Sequence, residues 1–219
     1  TGAISAWLIA RSRVTLAAGA ATAKPHEDER RRGVFWTLSL VFFLAASAGL
    51  MVLSQAAGII AAYGGAAALA IAGTTFIAAT IAVARLSGGW MVDWLTIPVV
   101  AACAHTVALV GNVALTLWPG PEVSVVSLAL VGVGYGIISG LTAAAVAVYW
   151  RRELYGFIAS RIYLAWCAAA IVLPIAAGHL FDVTRSYRTA VLIAAGGNAL
   201  GLLVALGLPR ERGERPHDG

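Results

Sequence analysis

The fold class this sequence predicts is all-α: a polytopic membrane protein of six transmembrane helices. Three observations carry that reading. The chain has 219 residues, 60% of them hydrophobic and 11% charged, with a mean hydropathy of +0.86. Soluble domains carry about 25% charged residues, so this chain has less than half the charge needed to wet an ordinary surface. Residues 33–84, 94–121, 123–150, 162–181 and 189–209 contain no Asp, Glu, Lys or Arg. A helix needs about 20 apolar residues to cross a ~30 Å hydrocarbon layer; the first run, 52 residues long, has room for two crossings and the others for one each. The runs are also apolar on all faces, whereas strands of a membrane barrel would alternate apolar and polar residues.

Residues 1–33 read as the end of a preceding apolar helix followed by a linker rich in Arg, Lys, Pro, Glu and Asp. The alternative of a signal-peptide core at 14–23 is disfavoured because the segment before it is itself apolar. Within the bundle, 34–209, the first span covers 34–62 and turns through Tyr63-Gly64-Gly65 into the second, 66–85. The third covers 96–117 and stops at Trp118-Pro119-Gly120-Pro121, where two prolines and a glycine cannot extend a helix. The fourth covers 123–149, capped by Arg151-Arg152-Glu153; the fifth covers 157–180 and the sixth 187–208. A polar tail, 210–219, closes the chain.

Charge gives the orientation. Of the fifteen Lys and Arg residues, all but Arg185 and Arg188 fall on the side of the linker and tail. Basic loops stay in the cytoplasm, so both ends are expected there, in a multi-pass protein of the inner (plasma) membrane. The net charge of +5 sits in short clusters beside the apolar runs, which points to membrane topology and against nucleic acid. Cys103 and Cys167 lie inside spans and imply no disulfide framework.

Between the second and third spans, Arg85, Gly89 and Asp93 recur every four residues and so share nearly one helical face. This Arg-x-x-x-Gly-x-x-x-Asp pattern resembles the second copy of the cytoplasmic loop motif of the major facilitator superfamily, although Trp94-Leu95-Thr96 stand where basic and glycine residues normally follow. Phe35-Trp36, Ala48-Gly49-Leu50-Met51-Val52, Tyr155-Gly156, Leu173-Pro174, Ala177-Gly178 and Phe181-Asp182 resemble the oxalate:formate antiporter branch of that superfamily. The resemblance covers 35–208. It implies that the six spans are helices seven to twelve of a twelve-helix transporter, partnered by an N-terminal six-helix half.

The residues also suggest a path. Gly132, Gly136 and Gly140 recur every four residues, continuing to Ala144, and form a small-residue groove. Beside it runs a stripe of Tyr135, Ser139, Thr142 and Tyr149. A second stripe, in the first span, holds Trp36, Ser39, Ser47, Met51, Ser54 and Gln55. A lone hydroxyl more often bonds its own backbone, but the amide of Gln55 needs a partner in lipid. Arg85 and Arg161 are the expensive residues, since a guanidinium near lipid either snorkels or faces a polar cavity. Guanidinium pairs bidentately with carboxylate, so the expected substrate-binding set is Arg85, Gln55, Tyr135, Ser139, Trp166 and Arg161, serving a small organic anion. The resemblance implies an arginine on the eighth helix, matched by Arg85, and a lysine on the eleventh whose position falls at Trp166; that departure makes a monocarboxylate as reasonable as a dicarboxylate.

His105 and Asn198 read as structural polar residues within their spans. Gly132-Val133-Gly134-Tyr135-Gly136 has the wrong spacing and setting for a nucleotide loop. No carboxylate pair, His-Glu-x-x-His run or activated nucleophile suggests an enzyme, and no metal or cofactor is expected. The reading is secondary transport by alternating access, antiport included, against the alternatives of a non-transporting six-helix scaffold or channel subunit and, behind these, a membrane-embedded enzyme. On a background free of Cys103 and Cys167, an impermeant thiol reagent is expected to label Gly64→Cys from outside and Arg152→Cys only after permeabilisation. Labelling of both in intact cells would overturn the orientation.

Overall fold

The computed structural model describes residues 25–211, with side chains described from residue 32 onward. The expected end of a preceding helix and the last part of the tail lie outside the described residues. Helix α1 is Pro25–Leu53, α2 is Ala56–Ala62, α3 is Ala67–Met91, α4 is Ile97–Leu117 and α5 is Pro121–Tyr149; after a short 3₁₀ turn, α6 is Tyr155–Thr184 and α7 is Arg188–Ala205. Among the described residues, six helices are long and apolar enough to cross a membrane, with α1 supplying the first crossing from Arg32 to Leu53. α1 starts within the segment read as linker.

Two departures from the expected spans bear on function. The first span is not one rod over 34–62 but breaks at Ser54 and Gln55. The Gln55 amide donates to Val52 O at 3.1 Å, a tightened turn, while Gln55 O starts α2 by accepting the Ile59 amide at 2.8 Å. Neither glycine nor proline stands at the break, so the sequence offered no breaker to read. The second span does not end at Arg85: α3 continues through Ser87-Gly88-Gly89 to Met91. In lipid each backbone group must be satisfied within the helix, and glycine costs less there than an open turn. Arg85 therefore lies about 9 Å inside the helix end, at about 1.5 Å per residue.

Helix α5 is the hub, packing against α3, α4 and α1, while α7 packs on α4 and α1. Helix α6 leans mainly on α1 and touches α5 and α7 far less. The predicted glycine groove is the α3–α5 seam. A Cβ at Gly136 would lie 2.7 Å from Ala84 Cβ, and one at Gly140 would run into the Arg85 carbonyl oxygen. The seam is reciprocal, because a Cβ at Gly88 would meet the Ile137 backbone. Without a hydrophobic drive between helices, close van der Waals packing of this kind holds a membrane bundle.

A polar pin joins α4 to α7. His105 Nδ1 and Asn198 Oδ1 are 3.1 Å apart, both residues are buried, and Asn198 Nδ2 donates to Ala194 O at 3.1 Å. Both residues thus hold structure, as their sequence context suggests, and Gly201 leaves the space that the imidazole fills. Most membrane hydroxyls bond the turn before them, as Thr142 does to Ile138 O at 2.7 Å.

Gly140→Val is expected to destabilise the bundle by about 1–3 kcal/mol through overpacking, read as a lower melting temperature, whereas Gly156→Val, where a Cβ meets nothing within 4 Å, leaves it unchanged. Asn198→Leu should cost about 1 kcal/mol, the usual scale of an interhelical hydrogen bond in a membrane. Equal melting temperatures for Gly140→Val and wild type would disprove the seam.

Candidate functional site

Three of the six expected site residues meet, each from a different helix. The α3–α5 seam sets the backbone of Arg85 against Gly140, and the Arg85 side chain reaches back along α5 to Tyr135. Arg85 Nη2 donates to Tyr135 Oη at 3.2 Å, and the guanidinium carbon lies 5.5 Å from the ring centroid. From α6, Trp166 Nε1 donates to the same phenolic oxygen at 2.7 Å. Tyr135 is only 4% exposed. Arg85 is exposed and Trp166 half-buried, so the cluster has a fixed floor and an open side.

The floor is rigid for a reason absent from the expected set. A Cβ at Gly49 would stand 3.1 Å from Tyr135 Cβ and 3.2 Å from its Cγ, so glycine at 49 lets the ring lie against α1. Phe43, Leu50, Leu53, Ile81 and Leu173 pack around this core. The signals for Gly49 in the sequence are a glycine in the middle of an apolar span and its place in the Ala48-Gly49-Leu50-Met51-Val52 segment. Arg85 has no acidic partner among the described residues, where Arg151 and Glu153 form the ion pair, at 3.4 Å.

The other three expected residues stand apart. Gln55 occupies the break between α1 and α2 and faces α6, 3.9 Å from where a Gly178 Cβ would be; six residues beyond Gly49, it is about 9 Å further along the helix direction. Ser139 is buried one turn from Tyr135 on α5. Arg161 is exposed near the start of α6, its guanidinium stacked 3.7 Å from the Phe157 ring centroid. That stacking keeps it out of the Arg85 cluster.

The expected stripe on the first span divides as well. Trp36 is 66% exposed, whereas Met51 is buried against Ala177 and Ala190. Tyr149, at the end of the α5 stripe, donates to Pro209 O at 2.8 Å and secures the start of the tail. Beyond the membrane end of α6, Tyr187 stacks on Phe181 at 4.2 Å and places its hydroxyl against Gly58 of α2. Burial first, then the Asp182 carboxylate, raise the Tyr187 phenol above its ordinary pKa.

A cleft of about 390 Å³ also lies between α3 and α5, lined by residues including Phe76, Thr80, Ser87, Val133 and Ile137. Val133 and Ile137 each stand two positions from Tyr135, nearly half a turn around the helix. None of the six expected site residues lines this cleft. It is separate from the Arg85 cluster.

No protein-family model and no curated protein sequence matches the chain. Solved structures do. A major facilitator superfamily transporter, FucP, in the outward conformation superposes with a TM-score of 0.75 at 17% identity, over 92% of this chain and 50% of that one. A peptide transporter POT (E310Q mutant) in complex with alafosfalin gives 0.70 at 17% identity, over 85% and 42%. A POT family transporter in complex with 5-aminolevulinic acid gives 0.67 at 17% identity, over 83% and 41%. The chain thus spans half or less of the length of these neighbours. Its six helices have the fold of one half of a major-facilitator-type transporter.

Proposed function

We propose that the chain is the C-terminal six-helix half of a secondary transporter that moves a small organic anion, a mono- or dicarboxylate, by alternating access. The observation that carries the reading is Arg85. An arginine about 9 Å inside the end of a membrane helix is costly unless it is paired, reaches the interface or faces a polar cavity. Here no carboxylate among the described residues offsets it, and its side chain is turned to Tyr135 rather than extended to the helix end. A cation placed that way lowers the barrier for an anion entering the bundle.

The size of the chain supports the second half of the reading, since it spans half or less of the length of its structural neighbours. Arg85 on α3 is exposed, and a second six-helix half meeting the bundle there would close the site into a path. In folds of this kind the site lies near the midplane between two bundles that rock about it. Antiport, a plasma-membrane location and cytoplasmic ends complete the proposal.

Arg85→Gln in the full-length protein is expected to lower anion uptake about tenfold or more, the scale of one lost charged hydrogen bond, at unchanged membrane abundance. Uptake equal to wild type would remove Arg85 from the site. Arg161→Gln is expected to change uptake by less than about twofold, because an exposed, stacked guanidinium contributes little.

A further inference from the structure

We infer that the Tyr135 hydroxyl is a second donor to the bound anion, and that Trp166 is the positioning residue that makes it one; the inference rests on the transport reading of the same site. Tyr135 Oη receives two N–H donors, from Arg85 at 3.2 Å and Trp166 at 2.7 Å. Guanidinium and indole N–H groups only donate, so the phenolic oxygen is the acceptor in both bonds. Its two lone pairs are then in use. The phenolic proton must point in the remaining direction, and it meets no acceptor among the described residues.

Tyr135 is only 4% exposed, and its hydroxyl proton has no acceptor among the described residues, so it is available to one that a ligand brings. Arg85 stands beside it with most of its five N–H donors also unspent. Donors therefore converge from α3 and α5 on a place that holds no acceptor, which is the complement of a carboxylate with two oxygens. One oxygen is received by Arg85 and the other by the Tyr135 hydroxyl. Trp166 touches the ligand's partner rather than the ligand's charge. Its N–H occupies the lone pair that would otherwise let the phenol rotate, and it fixes the direction of the proton.

The test uses the full-length carrier reconstituted in vesicles, probed with formate, acetate, lactate, benzoate and oxalate; the anion that binds most tightly serves as the probe. Tyr135→Phe is expected to weaken its binding about ten- to a hundredfold, as for a lost hydrogen bond to a charged group, with the unliganded protein still folded and its melting temperature lowered because the Arg85 and Trp166 donors lose their acceptor. Trp166→Phe keeps the ring and loses the N–H, and should weaken binding about two- to tenfold. Because Trp166 acts through the hydroxyl, the double variant should bind no more weakly than Tyr135→Phe alone. Additive losses in the double variant would overturn the positioning role. Wild-type affinity in Tyr135→Phe, with binding abolished in Arg85→Gln, would overturn the second-donor role and leave the transport reading standing. Binding of none of the five anions by wild type would defeat both. Should Tyr135→Phe fail to fold, Trp166→Phe carries the same decision, since wild-type affinity there ends the inference.

Discussion

The close approach of α3 to α5 is the contact on which the rest of the structure depends. Packing in a bilayer gains little from burying apolar surface, because lipid is as apolar as the side chains. What remains is surface fit, and here it is set by Gly132, Gly136 and Gly140 on one helix and Gly88 on the other. At Gly136 the clearance is so small that a methyl group would come within 2.7 Å of both Ala84 Cβ and the Ile81 carbonyl oxygen. Leu or Val at such a position would push α3 outward and strain the bond from Arg85 to Tyr135. The glycine row is thus a packing device that sets the address of a charge.

That charge explains why the floor beneath it is so rigid. An arginine inside a membrane helix keeps its conformational freedom unless something holds it, and a flexible cation recognises anions poorly, because each side chain ordered on binding costs about 0.5–1.5 kcal/mol. Tyr135 removes that freedom in advance. It is itself held between Gly49 of α1 and Trp166 of α6, so four helices contribute to the direction of one guanidinium. The same arrangement accounts for Arg161. It has charge but no such frame, and it settles on Phe157 at the exposed start of α6.

Much of this was legible in the sequence. Runs without charge gave the six crossings because lipid admits few alternatives to an apolar helix. The spacing of Gly132, Gly136 and Gly140 foretold a seam, since a period of four keeps residues on one face. Arg85, Tyr135 and Trp166 were each in the expected set, although nothing in the sequence could say that they meet, as that depends on how three helices are rotated. Two features were not legible. The break at Ser54 and Gln55 has no glycine or proline to announce it, and α2 beyond it lies against Tyr187 at Gly58. The run of Ser87-Gly88-Gly89 looks like a turn by propensity yet stays helical, because the glycines serve the seam and the membrane forbids open backbone.

The uneven attachment of the helices gives the cluster a place in any motion of the bundle. Helices α3, α4 and α5 are tied through glycine seams, and α4 is pinned to α7 by His105 and Asn198. Helix α6 has no comparable seam with α5, and its side-chain hydrogen bond to that helix runs from Trp166 to Tyr135. Pro174, two turns further along α6, removes one backbone hydrogen bond and weakens the rod at that level. A ligand shifts a conformational equilibrium only through contacts that differ between the states. An anion drawing on Arg85 and the Tyr135 hydroxyl would act on the oxygen that also receives Trp166, at the junction between the tightly packed helices and the loosely held one. On the proposed transport reading, binding at that oxygen and the position of α6 would then be one equilibrium, so that the site responds to which way the bundle is open.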